Sequence, residues 1–201
     1  MASETARVEA FSDGVFAIAI TLLILNLKVP SGSEGHLAAA LARQWPTYAA
    51  FLLSFFFIGI MWVNHHRLFN HIRKSDNRLL FYNLLLLLMV SVVPFPTALL
   101  AAHYGTADRV VAAAVFNGSY VLLAIFFNIL WLHVVRAGLL DSATHESADS
   151  ITRQYAVGPI AYIVCFALTW VSVPGSLILN IALAIFFAIP PRTESGRRVG
   201  S

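Results

Sequence analysis

From Leu79 to His103 the chain runs without a single Asp, Glu, Lys or Arg. A bilayer core of about 30 Å is crossed by roughly 20 apolar residues in a helix. A stretch of this length therefore restricts the chain to membrane folds, because in lipid every backbone polar group must be satisfied within the protein. Composition extends the restriction to the whole chain. Of 201 residues, 59% are hydrophobic and 11% are charged, whereas a soluble domain carries about 25% charged residues.

Six apolar runs have the spacing of membrane spans: Val8 to Val29, Trp45 to His66, Leu79 to His103, Arg109 to Val135, Tyr155 to Val173 and Ser176 to Ile189. The sequence thus predicts an all-α integral membrane protein with six transmembrane helices, forming one domain over residues 1–201 with a polar tail at 192–201. Leu37 to Arg43 reads as a short amphipathic piece outside the membrane. Pro94 to Pro96 should kink the third span near its end, and Pro174-Gly175 should close the fifth. The first run has acidic residues before it and no small-residue cleavage site after it, unlike a secretory signal. The single Cys165 excludes an intrachain disulfide.

Lysine and arginine sort by side. Ten (Arg7, Arg67, Arg73, Lys74, Arg78, Arg136, Arg153, Arg192, Arg197, Arg198) fall on one side of the six-span arrangement and three (Lys28, Arg43, Arg109) on the other. The positive-inside rule then makes both termini cytoplasmic, in a multi-pass protein of the cell (inner) membrane. The same bias explains the pI of about 9.3 as loop arginine, with no nucleic-acid partner implied. No span carries a string of charges and no repeat is visible, so a permeation path belongs on a symmetry axis between subunits.

The first run, R-V-E-A-F-S-D-G-V-F-A-I-A-I-T-L-L-I-L-N-L, begins with three charged residues among its first seven, Arg7, Glu9 and Asp13. At about 100° per residue, Phe11, Gly14, Ile18, Leu22 and Leu25 share one stripe, with Thr21 at its border and Asp13 almost opposite. The stripe by itself reads as lipid contact or bundle core, since such a stripe occurs on almost any membrane helix. Asp13 fits either an interfacial cap or a buried polar network that fixes the helix. Trp62, His65 and His66, at the matching end of the second span, could satisfy that carboxylate or act as interfacial anchors. Adjacent histidines diverge by about 100° on a helix, so they make a poor metal pair. Asn83, Asn117, Asn128 and Asn180 lie within spans, where such residues bond across helices.

Arg7, Phe11, Ser12 and Asp13 form R-x-x-x-F-S-D at the head of an Ile/Leu/Thr-rich helix. This resembles the signature of the transmembrane protein 175 family of potassium channels, in its six-span prokaryotic form. The resemblance implies a homotetramer in the lipid bilayer, a central pore lined by the first helix, and potassium as the permeating ion. It implies a hydrophobic constriction of Ile18, Leu22 and Leu25, with Thr21 placing a hydroxyl near the pore. It also implies that Arg7, Phe11, Ser12 and Asp13 hold the helix through contacts away from the ion. There is no T-V-G-Y-G filter, no cofactor is expected, and no metal beyond the permeating ion. A secondary transporter is the competing reading, although the prolines lie near span ends and not at the midplane. An intramembrane enzyme would need a nucleophile–base or metal constellation, which Cys165 lacks.

Overall fold

The computed structural model describes residues 4–31, 35–141 and 148–189; the tail at 192–201, with Arg192, Arg197 and Arg198, lies outside the described residues. Among them there are eight α-helices: α1 (Glu4–Leu22), α2 (Leu37–Arg43), α3 (Trp45–Asn70), α4 (Asn77–Val92), α5 (Pro94–His103), α6 (Arg109–Arg136), α7 (Ala148–Leu168) and α8 (Val173–Ala188). A 3-10 turn, Leu23–Asn26, extends α1. No residue of α2 is buried.

Five segments are long and apolar enough to cross a membrane: Thr5–Asn26, Trp45–Asn70, Asn77–His103, Arg109–Arg136 and Ile151–Leu168. The remaining apolar helix, α8, has 16 residues. At about 1.5 Å per residue it is roughly 24 Å long, short of the bilayer core. The helix boundaries differ from expectation at the prolines. Pro174 does not close α7, which ends at Leu168, but lies in the first turn of α8. Proline tolerates that position because its missing N–H would be unpaired there anyway. Ser172 caps the new helix by accepting from the Gly175 N–H at 3.1 Å. Pro94 likewise opens α5 in place of merely bending α4. The carbonyl that Pro94 would have served, Val90 O, accepts from the Val93 N–H at 3.3 Å.

Helix α6 is the hub. It is the most buried of the five long segments and packs against α4, α5, α7 and α8. Its apolar residues, Phe116, Tyr120, Leu123, Phe127, Leu130, Trp131 and Val134, recur at helical spacing and are all buried. Polar side chains inside the bundle bond across helices, as a lipid-embedded fold favours. Asn117 donates to Thr169 Oγ1 at 2.6 Å and to Ser176 Oγ at 3.2 Å, while Asn180 donates to Asn117 Oδ1 at 2.6 Å. This cluster fastens the α7–α8 turn to α6. Asn64 donates to the Phe187 carbonyl at 3.2 Å and ties α3 to α8.

Asn128 has a more specific task. Pro159 lies inside α7 and cannot supply the N–H that would reach the Tyr155 carbonyl one turn earlier. Asn128 Nδ2, from α6, donates to that carbonyl instead. Asn128→Leu is expected to leave it orphaned at a cost of about 1–3 kcal/mol. The check is a lowered aggregation temperature of the detergent-solubilised protein, read by fluorescence-detected gel filtration after heating.

At one end of the bundle α6 stops in a Schellman turn. Gly138 adopts φ +64°, with Gly138 N–H bonded to Val135 O at 3.2 Å and Leu139 N–H to Val134 O at 3.1 Å. The reversed chain pairs with the α3–α4 connection through Arg73 N–H to Leu139 O and Asp141 N–H to His71 O, both 2.9 Å. Here Asp76 caps α4. Its carboxylate accepts from the Leu79 N–H at 2.7 Å and contacts His133 Nε2 at 3.0 Å. The Leu79 N–H foremost, then His133, holds the Asp76 carboxyl below the ordinary carboxylate value. Because the folded value is depressed, this cap stabilises fully above the ordinary value of 3.8 and loses its contribution as pH falls through the lower folded value. The difference in thermal stability between wild type and Asp76→Ala should therefore shrink as pH is lowered through that window. A difference that stays constant would remove Asp76 ionisation as its source.

The candidate pore helix and its anchor

Helix α1 rests on α3 and α4, and its two faces are chemically distinct. Ser12, Phe16, Ala19 and Leu23, spaced four, three and four apart, are buried at 2% exposure or less. The opposite stripe is open: Phe11 is 61% exposed, Ile18 61%, Leu22 42% and Leu25 69%, and Gly14 and Thr21 are exposed with it. Spacings of three and four on both sides are those of a helix packed on one flank only.

The 3-10 turn refines the C-terminal end of the stripe. In a 3-10 helix residues three apart eclipse, so Leu25 stacks over Leu22 more closely than continued α-helix would place it. Asn26 fixes this end by donating to the Pro94 carbonyl at 3.4 Å. Thr21 Oγ1 donates to the Ile18 carbonyl at 2.9 Å. Its one proton is thereby directed into the helix, and its oxygen lone pairs are left for the open side.

The N-terminal end of α1 is held by three layers of polar contacts. Deepest, Ser12 Oγ donates to Val8 O at 2.8 Å and accepts from Asn83 Nδ2 at 2.9 Å. Asn83 Oδ1 in turn lies 2.8 Å from His65 Nε2. Since the Asn83 amide nitrogen faces Ser12, its oxygen is the acceptor, and His65 carries its proton on Nε2. The His65 ring is fully buried, stacked on Phe69 at 4.4 Å and tilted against Phe16 at 5.3 Å. Next, Trp62 Nε1 donates to Asp13 Oδ1 at 2.8 Å. Outermost, His66 Nδ1 lies 2.7 Å from Glu9 Oε1, its ring stacked on Trp62.

The four motif residues therefore separate. Ser12 and Asp13 join α1 to α3 and α4, and Phe11 and Arg7 are exposed on the open side. With Val8, Leu80, Leu84 and Leu87 they border a groove of about 450 Å3 between α1 and α4. Trp62 meets Asp13, His66 meets Glu9, and His65 packs on Phe16 of α1 and is linked to Ser12 through Asn83. Asn83 is the link that sequence reasoning did not assign. A lone Asn in a Leu-rich run gives no sign of which neighbours it bridges. Among the described residues no three His, Cys, Asp or Glu side chains converge as a metal site would require.

Fold and site together define a multi-pass all-α membrane protein whose first helix is anchored by polar bonds on one flank and presents an unpartnered apolar stripe on the other. The family model of the endosomal/lysosomal potassium channel TMEM175 matches residues 7–94, which include most of α1, its anchor on α3 and the Asn83 link. The chain is 48% identical over 192 residues to a potassium channel of Chamaesiphon minutus, covering 93% of this chain and 95% of that one. It is also 48% identical to a potassium channel of Streptomyces collinus over 190 residues, covering 92% of each. The crystal structure of a lysosomal potassium-selective channel TMEM175 homolog from Chamaesiphon minutus superposes with a TM-score of 0.86 at 47% identity, covering 93% of this chain and 97% of that one. This chain belongs to the TMEM175 family.

Proposed function

We propose that this chain is the subunit of a homotetrameric potassium-permeable channel whose pore lies on the symmetry axis and is lined by α1. The observation that carries this reading is the exposed Phe11/Ile18/Leu22/Leu25 stripe on a helix whose opposite flank is bonded to α3 and α4. A fourfold arrangement that turns these stripes inward gives rings of four branched side chains at Ile18, Leu22 and Leu25. Such rings close a narrow pore sterically and by excluding water. They offer no ligand to potassium, so polar coordination falls to the Thr21 hydroxyl, whose lone pairs are free of intrahelical bonds. Ser12, Asp13, Trp62, His65, His66 and Asn83 act as positioning residues that fix the angle of the pore helix. Arg7 and Phe11 lie where a neighbouring subunit would seat. This is a transport function with no chemistry on a substrate.

The structure gathers the helix ends bearing Arg7, Arg67, Arg73, Lys74, Arg78, Arg136 and Arg153 at one end of the bundle, through the Asp13–Trp62, Asp76–His133 and Trp131–Thr152 contacts. This supports six spans with that end, and both termini, in the cytoplasm of a cell whose inner membrane holds the protein. Purified protein in planar bilayers with potassium chloride is expected to give unitary current steps. Saturable potassium uptake into vesicles with no resolvable unitary current would instead identify a transporter.

A further inference from the structure

We propose that a pocket between the charged ends of α4 and α6 binds the phosphodiester headgroup of an anionic phospholipid. Arg78 and Tyr82 from the first turns of α4, and Ile129, Leu132, His133 and Arg136 from the last turns of α6, border a cavity of about 350 Å3. That size falls at the lower end of small-molecule sites. The residues recur at i, i+3, i+4 and i+7 along α6 and at i, i+4 along α4, so each helix turns one face to the pocket.

Arg78 and Arg136, both exposed, line the one cavity from two helices, and two guanidinium-bearing residues on one cavity suit an anion such as a phosphate. Among the described residues neither forms an ion pair. Arg136 ends α6, where the helix dipole favours a cation, but Arg78 lies in the opening turn of α4, where the dipole opposes one. Asp76, next to the pocket residue His133, is engaged by the Leu79 N–H and by His133 itself. It fixes His133, whose ring meets Tyr82 edge-on at 5.2 Å. Among the described residues no carboxylate pairs with the exposed Arg78, which leaves it open to an external anion.

The depth profile favours lipid over free phosphate. Below the arginines come the amphipathic Tyr82 and His133, then apolar Leu132 and Ile129, the latter 36% exposed. Charge at the mouth and an open aliphatic wall beneath match a headgroup whose acyl chains run down into the bilayer. Basic pockets between transmembrane helices on the cytoplasmic side are suited to anionic headgroups in this way. The pocket lies on the side of α4 that meets α6, away from the stripe assigned to the pore.

Native mass spectrometry of the detergent-purified full chain tests this, with palmitoyl-oleoyl phosphatidylglycerol, the matched phosphatidylcholine and inorganic phosphate titrated separately. Phosphatidylglycerol half-saturation is expected to rise about tenfold or more in R78Q/R136Q, with phosphatidylcholine adducts unchanged. R153Q, which removes an exposed arginine at the same end outside the pocket, should bind as wild type does. The single variants R78Q and R136Q should shift in the same direction by less, and R78K/R136K should recover part of the affinity. Equal phosphatidylglycerol binding in wild type and R78Q/R136Q overturns the proposal, as does an equal loss in R153Q. Arginine-dependent binding of inorganic phosphate, with no preference for phosphatidylglycerol over phosphatidylcholine, overturns it in favour of a free-anion site.

Discussion

Ile18→Asn is expected to raise the open-channel leak by about tenfold, equivalent to about 1.4 kcal/mol off the permeation barrier, and to admit sodium alongside potassium. Ile18 is 61% exposed and sits at the centre of the open stripe of α1. In the proposed fourfold arrangement one substitution would change four side chains at a single level of the pore. Four branched aliphatic groups exclude water where the pore is narrow, whereas four amides hold it there and lower the cost of passing any hydrated cation. The fold should tolerate the change, because the buried flank of α1, Ser12, Phe16, Ala19 and Leu23, is untouched. Single-channel recording in symmetrical and bi-ionic solutions checks it. Unchanged conductance and ion preference in correctly assembled protein would take Ile18 out of the constriction.

The second large effect is on assembly. Asn83→Leu removes the acceptor of the buried His65 Nε2–H and one bond to Ser12. An orphaned buried donor costs about 1–3 kcal/mol, here at the joint where α1 meets α3 and α4. Thermal stability and tetramer yield in detergent should both fall. Because Ser12 still donates to Val8 O, the remaining damage is centred on His65. The double variant Asn83→Leu/His65→Leu, which replaces both partners by apolar groups, should regain most of the loss. Loss of tetramer in the double variant as complete as in the single one would count against the network as the source.

These expectations show what the sequence carries. Apolar length predicts membrane helices because a bilayer imposes a fixed crossing distance, and the long apolar segments coincide with five of the six expected spans. The stripe on α1 is legible from period alone, since 3.6 residues per turn places Phe11, Ile18 and Leu22 together whatever surrounds them. What period cannot supply is the partner of a polar side chain. The Asp13–Trp62 bond joins residues 49 apart and the Ser12–Asn83 bond residues 71 apart. The sequence names the groups that need partners, and the packing of α1 on α3 and α4 chooses among them. Proline is ambiguous for a related reason. Pro94 and Pro174 each stop the preceding helix or start the next one equally well. The choice is made locally, by the Ser172 cap on α8 and by Val93 taking up the Val90 carbonyl. The tighter turn at Leu23–Asn26 leaves no compositional mark, because leucine and isoleucine fit α and 3-10 geometry alike.

The central claim is that potassium crosses the membrane along α1 through the Ile18, Leu22 and Leu25 rings. It is tested most directly by the reversal potential of purified wild-type and Ile18→Asn channels in a bilayer separating potassium chloride from sodium chloride. The wild type should reverse close to the potassium equilibrium potential, and Ile18→Asn should reverse much nearer zero. A wild-type reversal potential at zero, or one that Ile18→Asn leaves unmoved, would contradict it.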